Sequence, residues 1–303
     1  MRRQHVRQAE KPPLPFQSHP SSDTERSHFQ KGELFLECAK RNGKTVFTRS
    51  RCSYPWYFFQ PLYLDHTGCA TTFLTNPSGG LAGGDTCSLI ATLEKDSHVL
   101  FTTPSATKVY RTLQEPAVQS IDLDVGSNAI CEWIPEPIIP FAGSSFEQTV
   151  TVRLETGASL ILWDALAAGR IVRGDRWKFS SYANRIRILL SNGRALEERY
   201  RLSPDHDNPC LPFNQAWNYA GSFFIVNDQV PESTWERSKQ DMTTVIENHT
   251  GEVLGGVSEP SVPGLVVKVL TRSAPDLNAM LERLWHVARM GLLNETIPAL
   301  RRY

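Results

Sequence analysis

Long apolar runs are missing from this chain of 303 residues. None approaches the roughly 18 residues that span a bilayer, so no membrane-crossing segment is expected. The opening stretch MRRQHVRQAEKPPLP has no apolar core and is not read as a secretory signal; Glu10 and the prolines also argue against a transit peptide. An excess of one charge is missing too: 32 Lys and Arg balance 32 Asp and Glu. That balance removes the main argument for nucleic acid or an acidic membrane surface as partner. Cysteines are few and unpaired in pattern. Those at 38, 52, 69, 87, 131 and 210 form no C-x-x-C, and no Cys/His cluster has zinc-ligand spacing. They are read as reduced, mostly buried thiols of a cytoplasmic protein. His98, His249 and His286 are read as structural or surface residues. G-x-S-x-G, H-E-x-x-H and a Cys with a plausible His partner are all absent, so no catalytic constellation declares itself.

What is present begins with glycine. NPSGGLAGGD (76–85) places Gly79, Gly80, Gly83 and Gly84 within six residues and ends on Asp85. Glycine reaches positive φ and admits close backbone approach, so the stretch is a tight double turn. The flanking runs CATTFLT and TCSLIATL read as strands. A phosphate loop would end in Gly-Lys-Ser/Thr and open a helix; here an acid and a β-like run follow. The plain alternative is a strand-to-strand turn closed by an Asx-type bond from Asp85.

From Gly32 the pattern is of short period-two runs. Ile121, Leu123 and Val125 alternate with acids; Val150, Val152 and Leu154 alternate with Thr and Arg; Ile186, Ile188 and Leu190 form a third set. SLILWDAL (159–166) is apolar except for Asp164 and reads as a strand buried on both faces. Strand signals recur to residue 202 with no helical segment between them, which disfavours an α/β fold. Two helices are expected late. One runs from Pro231 to Asn248 with a stop at Gly251. The other runs from Pro275 to Arg289, capped by Ser273 and Asp276 and closed by Gly291. In it Leu277, Met280, Leu281, Leu284, Trp285 and Ala288 form one stripe, expected to pack on the sheet. The fold class is mainly β. A polar, proline-bearing tail (1–30) is expected to be disordered, a single body fills 31–303, and 203–218 is a loop or insertion.

Candidate chemistry rests on polar residues in apolar or strained places: Asp85, Asp164, Glu198 in ALEERYRL, and Lys108 and Tyr110 in TTPSATKVYRT. An unpaired charge inside an apolar strand is too costly, so Asp164 must be paired, hydrogen-bonded or facing a polar cavity. One possibility is a buried pair with Arg170. Isolated carboxylates bind hard or borderline cations weakly, which suits conduction better than storage. The rival readings are a hydrolase or lyase using Asp85 or Asp164 with Lys108, and a purely structural β scaffold. SYPWYFFQPLYL (53–64) adds an aromatic load that is either core or a surface for a partner.

The succession NPSGGLAGGD, TTPSATKVYRT, CEWIPEPIIPFAGSSF and LILWDALAAGRIVRGD, continuing through ALEERYRL to the C-terminal IPALRRY, resembles the urease accessory family called UreD or UreH. The resemblance covers about 33–303. It departs at turn level, in Asn76-Pro77-Ser78 and Ser105. It implies a single β-helix-like stack of strands with two α-helices in the C-terminal half, and a metallocentre-assembly role rather than catalysis. It also implies a UreF-like partner, a UreG-like GTPase reached through the complex, and docking on apo-urease. No tightly bound cofactor is implied; Ni²⁺ is transient cargo, passed along a polar internal tunnel. Asp85, Asp164 and Glu198 match the acidic tunnel positions and would hold the ion weakly and transiently. Thr107 is a wall residue.

Overall fold

A computed structural model describes residues 29–204 and 217–300. The tail expected over 1–30 falls outside the described residues except for Phe29 and Gln30, and the loop expected over 203–218 falls largely on 205–216, also outside them. Phe29 and Gln30 already belong to the body: the Thr86 amide donates to the Gln30 carbonyl at 2.8 Å.

The chain enters through an antiparallel hairpin, β1 (Lys31–Arg41) and β2 (Lys44–Cys52). Its turn residues Asn42 and Gly43 both have positive φ, which suits the right-handed twist of the strands on either side. In order, the strands that follow are β3 (Tyr57–Phe58), β4 (Ala70–Thr75), β5 (Thr86–Leu93), β6 (His98–Thr102), β7 (Thr107–Val109), β8 (Ala117–Val125), β9 (Ile130–Trp133), β10 (Ile138–Pro140), β11 (Ser145–Leu154), β12 (Ser159–Ala167), β13 (Ser181–Leu190), β14 (Ala195–Leu202) and β15 (Tyr219–Val226). From β4 to β13 they cross back and forth between two sheets. The helix α1 (Glu232–Glu247), β16 (Val253–Ser258), β17 (Gly264–Thr271) and the helix α2 (Ala274–Leu293) complete the set.

One sheet runs β14-β13-β11-β8-β5-β1-β2, and the other runs β16-β17-β15-β12-β9-β6-β4-β3, with β7 and β10 attached at its side. The centres of both are parallel: β1, β5, β8, β11 and β13 in the first, β4, β6, β9 and β12 in the second. Parallel neighbours need a long return connection, usually a helix. Here the return is a strand of the opposite sheet, so a parallel topology coexists in stacked coils with the absence of α-helices among the described residues up to 202, where a single 3-10 turn (Ile171–Arg173) is the exception. Alternate residues point inward, and Leu89, Ile121, Val150, Ile186, Leu160, Leu162 and Phe224 meet between the sheets. Every residue of β12 is buried because its other face lies beneath the helices.

The α2 stripe packs as expected, with Leu277, Met280, Leu281, Leu284, Trp285 and Ala288 all buried against the second sheet and α1. Burying each of the leucines and Met280 is worth about 1.5–3 kcal/mol relative to leaving it in water. The Ser273 hydroxyl accepts the Asp276 amide at the helix start. The first helix keeps the expected bounds, capped at Pro231 and Asn248, whereas the end of the second departs from the sequence reading. Gly291 lies within α2, which closes at Asn294 in the left-handed region; a Cβ at Gly291 would meet the Ser238 hydroxyl of α1 at 2.7 Å, so this glycine serves helix contact. Gly251 follows the α1 cap at Asn248 and lies against Asp276, with room for no Cβ. Nor are the 53–64 aromatics all core: Tyr54 is 58% exposed, Tyr57 50% and Phe59 47%, while Trp56 and Phe58 pack inward.

Candidate functional site

The glycine loop lies between β4 and β5, as its sequence requires. Gly79 and Gly84 have φ of 82° and 86°. Gly80 presses on β7, where a Cβ would stand 2.5 Å from the Lys108 carbonyl. Leu81 exchanges backbone hydrogen bonds with Lys108 and Tyr110, both at 2.8 Å, and the Tyr110 hydroxyl donates to the Gly79 carbonyl. Asp85 is 4% exposed. Its Oδ1 accepts the Gln30 amide at 3.0 Å and its Oδ2 the Ala82 amide at 2.8 Å. Its carboxylate therefore holds the loop and the entering chain, as the turn reading expected. Both oxygens face backbone N–H groups, an arrangement that serves neither a general base nor Lys108.

Behind the loop lies a cavity of about 110 Å³ whose wall includes Gly79, Gly80, Thr107, Lys108, Gln148 and Asp164. Asp85 is not on that wall. Asp164 is buried between the sheets; its Oδ1 accepts Gln148 Nε2 at 2.8 Å, and its Oδ2 accepts Asn184 Nδ2 at 2.8 Å and the Tyr200 hydroxyl at 3.4 Å. Burial raises its pKa above the ordinary carboxylate range, while Gln148, Lys268, Tyr200 and Asn184 pull the other way. Arg170 is not its partner: that guanidinium pairs with Asp175, five residues on, at the turn following β12.

Asp164 also forms part of a second hollow, an open groove of about 720 Å³ between β14 and the β15-β17-β16 end of the other sheet. Glu198 lies in this groove. It accepts the Ser222 hydroxyl at 2.9 Å and pairs with the Lys268 ammonium. Burial pushes the Lys268 pKa down to about 8 against the attraction of Asp164. Burial likewise raises the Tyr200 hydroxyl, with Asp164 adding to the effect. The structure thus brings Asp164 and Thr107 to one cavity and Asp164 and Glu198 to one groove. Asp164 is the residue common to both.

Nothing in the sequence pattern marks the rest of this wall. Cys87, Gln119, Gln148, Asn184 and Tyr200 are register partners across β5, β8, β11, β13 and β14. Gln119 Nε2 donates to Gln148 Oε1, and Gln148 Nε2 to Asn184 Oδ1. Side chains in a strand alternate faces, so counting by two from Val150 to Gln148 and from Ile186 to Asn184 puts the amides inside. On the facing sheet Asp164, Ser222 and Lys268 are also register partners. Two polar rows therefore face each other within an otherwise apolar sandwich, lined with oxygen and amide groups.

A second buried polar cluster was likewise unmarked. Cys69, His98 and Glu132 offer ligand atoms within 4.8 Å of one another. The Glu132 carboxylate is already occupied: Oε1 meets His98 Nε2 at 2.7 Å and accepts Arg289 Nη1 at 2.8 Å, while Oε2 accepts the Trp285 indole N–H at 2.5 Å. Burial holds the Cys69 thiol well above its usual range. The set fits a structural knot under α2 better than a metal centre, in keeping with the reading of His98.

Comparison with known proteins follows the same outline. The family model described as "UreD urease accessory protein" matches residues 30–302. A protein of Delftia acidovorans, "Urease accessory protein UreD", is 31% identical over 281 residues, spanning 86% of this chain and 90% of the relative. The protein of that name from Polaromonas is 30% identical over 254 residues, 83% of this chain and 91% of the relative. That from Lachnoclostridium phytofermentans is 26% identical over 260 residues, 86% and 93%.

Proposed function

This chain belongs to the UreD family of urease accessory proteins, and from that membership we propose that it serves urease maturation as a binding platform and as a route for Ni²⁺. Its role is accessory rather than catalytic, as its relatives' names have it. In this reading it works in the cytoplasm, binds a UreF-like protein, meets a UreG-like GTPase through the complex and docks on apo-urease. Ni²⁺ is cargo, held transiently. Thr107 and Asp164 flank the inner part of its path, and Asp164 and Glu198 the outer part. Asp85, with Gly79, Gly80, Gly83 and Gly84, shapes the loop at the inner end. Among the described residues no helix is long and apolar enough to cross a membrane.

The observation that carries this reading is the place of Asp164, one carboxylate that walls both the cavity and the groove. Gln148, Asn184 and Tyr200 hold it through neutral donors rather than through an arginine. Such a carboxylate can exchange an amide hydrogen bond for an oxygen contact to a borderline cation without leaving a buried counter-charge behind.

The test is Asp164→Asn and Glu198→Gln, expressed with urease and its other accessory proteins. The nickel content of the urease should fall by roughly threefold to tenfold, corresponding to about 0.7–1.4 kcal/mol of lost ion stabilisation. Folding and complex assembly should hold: the amide of Asp164→Asn costs about one hydrogen bond, or about 1 kcal/mol, and removes a buried charge. Unchanged nickel content in both variants would return these acids to a structural scaffold.

A further inference from the structure

The strand β17 reads GLVVKVLT, with a lysine in the middle of an apolar run. Leu265, Val267 and Val269 face the helices, and Val266 faces the sheet opposite, so Lys268 also points between the sheets. A charge at such a position needs a partner. Its ammonium pairs with Glu198 and donates to the Ser222 hydroxyl at 2.7 Å, and the same hydroxyl donates to Glu198. Asp164 is next beyond Ser222 on that row of register partners. The lysine side chain is half exposed along the groove.

We propose that Lys268 is a tethered competitor for the cation that the groove admits: its ammonium occupies the Glu198 carboxylate, and a divalent ion takes that carboxylate only by displacing it. This rests on the reading of the groove as an ion path and names the residue that sets its occupancy. An ammonium suits the task. It is a compact charge on a flexible four-carbon stem and can swing into solvent, whereas a guanidinium would hold the carboxylate with two fixed N–H groups. Two positive charges at contact distance on one carboxylate repel, so ion and ammonium alternate. A path gated in this way keeps Glu198 paired when empty and releases its cargo as the lysine returns.

The test compares Ni²⁺ titrations of the full chain by calorimetry at neutral pH and fixed salt. Lys268→Met should bind Ni²⁺ roughly tenfold tighter than the wild type. Lys268→Arg should bind no tighter than the wild type, and adding Glu198→Gln to Lys268→Met should abolish the gain. A gain absent from Lys268→Met, or surviving loss of Glu198, overturns the proposal. A second measurement needs no variant: acylation of the Lys268 amine, read by mass spectrometry, should speed up several-fold on adding saturating Ni²⁺, and an unchanged rate overturns it. A Lys268→Met gain alongside unchanged urease nickel content in Asp164→Asn and Glu198→Gln would keep the competitor and remove the passage. Nickel loss in those acid variants without a Lys268→Met gain would do the reverse.

Discussion

At the scale of single residues, the three acids that the sequence singles out divide by what holds them. Asp85 is held by backbone N–H groups, Asp164 by side-chain amides and a phenol, and Glu198 by a hydroxyl and an ammonium. Their sensitivity to substitution should divide in the same way. Asp85→Ala leaves two amides without an acceptor and should cost about 1–3 kcal/mol in urea unfolding. Full stability together with lost nickel transfer would instead mean that this carboxylate meets the ion directly. Asp164 and Asp85 were legible because an acid inside an apolar strand, or ending a glycine turn, is conspicuous against its neighbours. Gln119, Gln148 and Asn184 were not, because an amide in an alternating strand looks like a solvent-side residue until its parity is matched to the buried ones. Arg289 was missed for a related reason: it lies four residues beyond Trp285 on the apolar side of α2, but its charge disqualified it.

At the scale of elements, strand positions followed from period two, the second helix from its apolar stripe and cap, and the first from its proline start and glycine stop. Pairing did not follow. Period two says which side chains share a face but not which strand is the neighbour, and the parallel order became visible only with the coils in place. The end of the second helix failed where glycine served packing, at Gly291. The contact between α2 and the sheet is where an element most depends on one residue. Arg289 is fully buried, with Glu132 on one nitrogen and Asp65 on another. Arg289→Met should destabilise the fold by about 3–5 kcal/mol, because it strands Glu132 without its countercharge. Pairing it with Glu132→Gln should recover much of that loss, measurable as a thermal midpoint. Additive losses in the double variant would show that the two side chains act separately.

At the scale of the whole molecule, the two-sheet stack leaves a run of exposed apolar side chains close together in sequence, Tyr54, Tyr57, Phe59 and Leu62. Exposed aromatics on a chain without net charge favour association. Tyr57→Ser with Phe59→Ser should raise the soluble yield of the chain expressed alone and weaken its capture by a UreF-like partner. Improved yield with capture intact would place the partner elsewhere. The knot under α2 bears on the order of events at the ribosome. Glu132 waits 157 residues for Arg289, and Asp65 waits 224. The loop after β3 that carries Asp65 and the strand β9 that carries Glu132 leave the exit channel long before the helix that neutralises them. Until then the growing chain holds two carboxylates in a half-built socket, open to water and to any basic helix that passes. The helix α2, made after both acids, is thus the one that closes this socket, and a nascent chain paused before it would be a natural client for cellular chaperones.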